Sequence, residues 1–181
     1  MKYILPESLR SVCKRASLFA VALVVAAPTY GAVCAGSTVT ILGTANADSI
    51  GGTSGNDVIH GAGGSDSIDG NGGNDVICGG HGDDYITGGA GNDTINGHPG
   101  FDVVRGNSGT DDLRGDQGRD DLYDVEEYTY EYGGDDNDTL QVYNGEMWGG
   151  YGYDTCTYEE IWYYGTIPLG VAYECEVVHT T

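Results

Sequence analysis

The chain has 181 residues, with 32 Gly, 28 acidic residues, seven Lys and Arg together, and a formal charge of −21. Leu, Ile, Val and Phe make up about a fifth of it, too little for an ordinary α/β enzyme with a large apolar interior. The charge argues against nucleic acid and anionic membrane as partners, since both call for a basic surface, and it favours cations.

Lys2, Arg10, Lys14 and Arg15 lead into an apolar run over residues 16–27, followed by Pro28 and small residues. This order of basic, apolar and small segments predicts a secretory signal peptide over residues 1–31 and a secreted, extracellular product without membrane insertion. The run is too short to span a bilayer. The competing reading is a buried N-terminal helix. Cleavage after Gly31, Ala32 or Ala35 is compatible with the sequence, whereas Gly31-Ala32-Val33 before Cys34 makes a poor lipoprotein box. Without residues 1–31 the chain keeps three Arg, no Lys and 27 acids, a net charge of −24. Composition alone would leave such a chain disordered, so something other than apolar burial must fold it.

A repeat supplies the missing order. Residues 43–123 divide without insertion into nine units of nine, beginning at Gly43, Gly52, Gly61, Gly70, Gly79, Gly88, Gly97, Gly106 and Gly115. Position 6 is always Asp: Asp48, Asp57, Asp66, Asp75, Asp84, Asp93, Asp102, Asp111 and Asp120. Position 8 is always branched aliphatic, from Ile50 to Leu122. Position 4 is Gly in all units but the first, which has Asn46, while position 2 varies.

The first six residues of each unit favour turns, and the last three set one apolar side chain between two neighbours that point the other way. A three-residue strand cannot stand alone, but stacked on its equivalents it becomes a rung of a parallel sheet. Two units make one turn of a flattened coil, so units i and i+2 lie above one another. Stacking brings the position-6 aspartates together along each edge, where like charges repel. A divalent cation between turns reverses that term, and carboxylates with turn carbonyls are hard oxygen ligands suited to Ca²⁺. Mg²⁺ suits them less, and the His or Cys cluster that zinc would want is missing from the sequence.

The units, most clearly Gly79-Gly80-His81-Gly82-Asp83-Asp84-Tyr85-Ile86-Thr87 and Gly88 to Asn96, resemble the calcium-binding nonapeptide of RTX, or haemolysin-type, proteins. The resemblance covers 81 residues. It implies an all-β, parallel β-roll in which Ca²⁺ sits between turns, held by the nine position-6 aspartates and by the turn carbonyls of Gly55, Gly64, Gly73, Gly82, Gly91, Gly100 and Gly109. With partners two units apart, nine units offer about seven such sites. The chain departs from the family in carrying an N-terminal signal and cysteines, and in lacking the large enzymatic or pore-forming domain that usually precedes the repeats.

Residues 32–42 fit the frame as an N-terminal cap strand, with Ile41 at position 8 and Val39 where Asp is expected. Beyond Tyr123 the pattern lapses, and Gly133–Gln141 and Gly149–Thr157 recover it in part. Residues 124–181, with both Trp and ten of the 14 Tyr, read as an acidic, Tyr-rich, β-structured C-terminal cap, or alternatively as a face for a carbohydrate or cell-surface ligand. Cys34, Cys78, Cys156 and Cys175 allow three disulfide pairings. Proximity favours Cys156–Cys175, with Cys34–Cys78 tying the cap to unit four. Motifs of nucleophilic or metal-dependent hydrolysis are lacking, which points to a non-catalytic protein. An accessory part of a secreted hydrolase or epimerase is the other reading.

Overall fold

The computed structural model describes residues 33–158 and 175–179, except for the side chains of residues 125–127, 144, 158 and 175–179. The expected signal peptide and most of the tail beyond residue 158 lie outside the described residues. Among the described residues there are fifteen strands and no helix. Apart from one small hairpin, every pairing is parallel.

The strands stack in two columns, as the repeat requires. Ile41–Leu42, Val58–Gly63, Val76–His81, Thr94–Pro99 and Asp112–Gln117 form one. Ser49–Gly51, Ser67–Asp69, Tyr85–Ala90 and Val103–Ser108 form the other. Partners within a column are 18 residues apart, as in Ile59↔Ile77 and Ile68↔Ile86, so two units make one turn of a β-solenoid.

Most strands hold positions 7 to 9 of one unit and 1 to 3 of the next. Positions 8 and 1 face inward. Ile59, Ile68, Ile77, Ile86, Ile95, Val104, Leu113 and Leu122 line a thin core and are at most 1% exposed. Glycine is required at position 1 for space: a Cβ on Gly61 would meet the carbonyl of Gly79, the carboxylate of Asp66 and Cδ1 of Ile68. At position 4 it is required for conformation, with φ of +117° at Gly82.

At the N-terminal end Ile41 pairs with Ile59, as expected of a cap strand. Before it, Val33–Cys34 and Ser37–Thr38 form an antiparallel hairpin. Cys34 and Cys78 are joined by a disulfide. Position 9 faces outward, yet Cys78 is 1% exposed because this hairpin packs over that face.

The sequence pattern lapses at Tyr123, but the coil does not. Asp121–Asp135 turns the corner between the columns, pairing with Val103–Arg105 at one end and with Asp112–Gln117 at the other. The step is still 18 residues at Leu113↔Glu131 and Asp124↔Val142. It shortens to 16 at Tyr128↔Asn144, and Asp154–Tyr158 then pairs on Thr139–Val142 at the shorter step.

The aromatic side chains of this region largely face one another. Tyr132 stacks on Trp148 at 4.5 Å between ring centroids and 3° between planes, and the Arg114 guanidinium covers its other side. Tyr151 and Tyr153 are the strongly exposed aromatics among the described residues, at 81% and 91%.

Candidate metal centres

Each position-6 aspartate ends a turn, and its side chain folds back under the coil. Asp48, at the open N-terminal end, is half-buried, and the other eight are buried. They are chained to one another through one oxygen each. The amide of Asp66 donates to Oδ1 of Asp84 at 2.8 Å, that of Asp84 to Asp102, and that of Asp102 to Asp120. On the opposite edge Asp57 donates to Asp75, Asp75 to Asp93, and Asp93 to Asp111. The first ladder runs on past the repeats, from Asp120 to Asp138 at 2.8 Å and from Asp138 to Asp154 at 3.0 Å.

The second oxygen sets the aspartates apart. In Asp66, Asp75, Asp84, Asp93, Asp102, Asp111, Asp120, Asp138 and Asp154, Oδ2 is buried with no hydrogen-bond partner. A buried anionic oxygen without a partner is among the costliest things a fold can hold. Asp48 and Asp57 avoid that cost: Oδ2 of Asp48 accepts from the amide and hydroxyl of Thr44, and that of Asp57 from those of Thr53. Threonine at position 2 thus completes the first two carboxylates from within the protein, and from Gly61 onward no unit has one.

Burial pushes the Asp84, Asp93 and Asp120 carboxyls up to about 6 and those of Asp102 and Asp138 to about 7, against the opposing pull of the amide that each accepts. Asp111 also rises to about 7, first through burial, with the nearby charge of Asp124 adding to it.

Backbone oxygens border the carboxylates on both sides. The carbonyls of Gly64, Gly73, Gly82, Gly91 and Gly100 press on the position-4 glycine of the coil above, at Gly82, Gly91, Gly100, Gly109 and Gly118. The Gly82 carbonyl there shares the space around Gly100 with Oδ1 of Asp102. The Gly55 carbonyl faces Gly73 and also accepts from the Thr53 hydroxyl at 3.3 Å. Gly109 itself packs on the Gly91 carbonyl. On the Oδ2 side, the carbonyls of position 1 converge instead: those of Gly79 and Gly88 share space with Asp66 and Asp75 over Gly61 and Gly70. Among the described residues no three His, Cys, Asp or Glu side chains gather at one point, so backbone oxygens have to supply much of any metal shell.

Residues 42–77, 51–86, 60–95, 69–104 and 87–122 each match the family described as RTX calcium-binding nonapeptide repeat (4 copies). Residues 42–122 are a run of RTX calcium-binding nonapeptide repeats. No curated protein matches it as a relative. The donor set fits the ion named by the RTX family, because single carboxylate oxygens among carbonyls are hard ligands of the kind Ca²⁺ takes in flexible six- to eight-fold shells.

Three features of this RTX coil are not visible in its signature. Asp138 and Asp154 lie beyond the matched residues yet continue one ladder; their signal was the partial return of the repeat. Asp124 and Thr129 stand at positions 1 and 6 of a coil that does not look like a repeat. Finally, Ala62 (φ +80°), Asn71, His98, Asn107 and Asp116 occupy position 2 with positive φ, a conformation for which the family uses glycine.

Proposed function

We propose that the protein is a secreted, non-catalytic calcium-binding β-roll that folds when Ca²⁺ enters between its turns. The observation that carries this reading is the row of buried, unpartnered Oδ2 atoms from Asp66 to Asp154. Each sits against a position-1 glycine where one coil meets the next, and none of these aspartates is in a salt bridge among the described residues. Of the nine repeat aspartates, seven have this free oxygen, and Asp138 and Asp154 add two more.

In this reading Ca²⁺ supplies the positive charge that lets the acidic coils stack. Oδ2 of Asp66, Asp75, Asp84, Asp93, Asp102, Asp111, Asp120, Asp138 and Asp154 are the charged ligands. The position-1 carbonyls on the same side are the neutral ones, while the position-4 carbonyls border Oδ1. Oδ1 stays with the protein and fixes each carboxylate through the amide of the coil below. Asp48 and Asp57, completed by threonine, serve as the folded start of the ladder. Affinities of about 10⁻⁴–10⁻³ M per site would match extracellular modules. The basic-apolar-small N-terminal segment and the Cys34–Cys78 disulfide support export to an oxidising compartment. The fully buried Cys156 is disulfide-bonded, with Cys175 as the proposed partner.

Circular dichroism of the chain from residue 32 onward, during calcium and magnesium titrations, tests the proposal. Cooperative gain of β-structure with calcium at lower concentration than with magnesium is expected. Equal response to magnesium would overturn the ion assignment. Full β-structure in excess chelator would overturn the folding role.

A further inference from the structure

The coil of residues 124–132 has lost the glycine and the aspartate that define a unit. Asp124 stands at position 1, where all nine repeats have glycine, and Thr129 stands at position 6, where all nine have Asp. The two changes compensate. A side chain at position 1 points inward, to the space occupied in other coils by the position-6 carboxylate. Asp124 is 1% exposed, and the Thr129 hydroxyl, fully buried, donates to its Oδ2 at 2.6 Å. The carboxylate has crossed the turn, and threonine now orients it.

Directly below lies the last aspartate of the shorter ladder. Oδ2 of Asp111 and Oδ2 of Asp124 converge over Cα of Gly106, in the space a Cβ there would fill. Asp111 is 1% exposed, and this oxygen has no hydrogen-bond partner. Elsewhere a single carboxylate oxygen points into such a space. Here two do.

We infer that Asp111 and Asp124 form a two-carboxylate calcium site that closes the shorter edge of the coil, with Thr129 as the positioning residue for Asp124. The inference rests on the calcium reading of the repeats and adds a site outside the nonapeptide signature. Its higher ligand charge makes it stronger than the single-carboxylate sites on the same edge, because each added anionic oxygen raises affinity for a divalent ion.

The test is calcium binding by the full chain, followed by calorimetry and equilibrium dialysis, for the wild type, Asp124→Asn, Thr129→Val and the double variant D124G/T129D. Asp124→Asn should bind one ion fewer and lose the strongest phase. Thr129→Val should keep the count and weaken that phase several-fold. D124G/T129D returns the carboxylate to position 6 and should restore the count with single-carboxylate affinity. An unchanged count and unchanged strongest phase in Asp124→Asn, with the wild type binding calcium normally, would overturn this site and leave the repeat sites standing. That is the result expected if the two acids share a proton instead. A wild type that binds no calcium would overturn both readings. Should Asp124→Asn fail to fold, a D124G/T129D protein that binds the full count but has lost the strongest phase supports the site, and one that folds and keeps the strongest phase unchanged overturns it.

Discussion

The backbone amide of Asp102 donates to Oδ1 of Asp120 at 2.9 Å, so each of these aspartates is clamped by the aspartate one turn away and has a single oxygen left over. The two halves of the carboxylate therefore do separable work, and substitution can separate them. Asp102→Asn keeps an acceptor for the Asp84 amide while removing the charge. It should lower calcium binding by one ion with little cost to stacking. Asp102→Ala also strands the Asp84 amide, adding about 1–3 kcal/mol. Asp57→Asn should leave the calcium count unchanged, since Thr53 already occupies the oxygen in question. Ion counting across the three variants checks this, and loss of an ion in Asp57→Asn would contradict it.

The raised carboxyl pKa values fix the direction of the pH response. An aspartate that titrates near 3.8 when unfolded and near 7 in the metal-free coil, as at Asp102 and Asp138, makes the coil bind more protons than the unfolded chain between those values. The metal-free coil is thus most stable at about pH 4 or below, and it weakens as pH rises from 4 to 7. Calcium binding runs the other way. Protons compete for Oδ2, so the calcium midpoint should rise below pH 7, by up to about tenfold per unit for each proton displaced. Chelator-treated protein should have more β-structure at pH 5 than at pH 8. The reverse order would contradict the assignment of these groups.

Glu131 occupies a core position. It pairs with Leu113 on one side and Met147 on the other, is fully buried, and has no hydrogen-bond partner for either carboxylate oxygen. Burial first, and then the charge of Asp124, raise its pKa far above the carboxylate range. Every repeat has an aliphatic residue there, so Glu131→Leu should stabilise the calcium-loaded protein by about 1–3 kcal/mol. The gain should be larger at pH 8 than at pH 5, where protonation already removes part of the cost. Calcium-saturated thermal unfolding at both pH values measures it.

These cases show where the sequence was legible. Positions 6 and 8 recur without exception, so the column from Ile59 to Leu122 and the aspartate ladders could be read from spacing alone. The turn of the coil does not depend on residue identity, because backbone pairing holds it in register, and the coil of Asp124 and Glu131 therefore kept its step after its signature had gone. Thr44 and Thr53 carried no signal either. A threonine in a turn is unremarkable until its hydroxyl is found 2.8 Å and 2.9 Å from the oxygen a cation would otherwise need.

Position 2 offers a stabilising substitution of another kind. Ala62 has φ of +80° and His98 of +73°, while Gly80 and Gly89 hold the same position with the residue suited to it. A non-glycine residue costs about 1–2 kcal/mol in left-handed backbone. Ala62→Gly should recover about 1 kcal/mol in the calcium-loaded protein, less the extra entropy that glycine brings to the unfolded chain. A lower thermal midpoint in Ala62→Gly would show that the turn does not hold this strain.

The Cys34–Cys78 bridge closes a loop with a sequence separation of 44, spanning the hairpin and the first four repeats. Confining the unfolded chain over such a loop is worth roughly 4 kcal/mol in the chain-entropy account. The two coils it anchors include the one whose aspartates are completed by threonine, so the bridge secures the end from which the ladders are built. Cys34→Ser with Cys78→Ser should not abolish the coil. It should shift calcium-induced folding to higher calcium, because ion binding must now supply the stability the bridge contributed. An identical calcium midpoint in bridged and bridgeless protein would mean that the loop is already ordered without metal, and that folding on calcium begins above the fourth repeat.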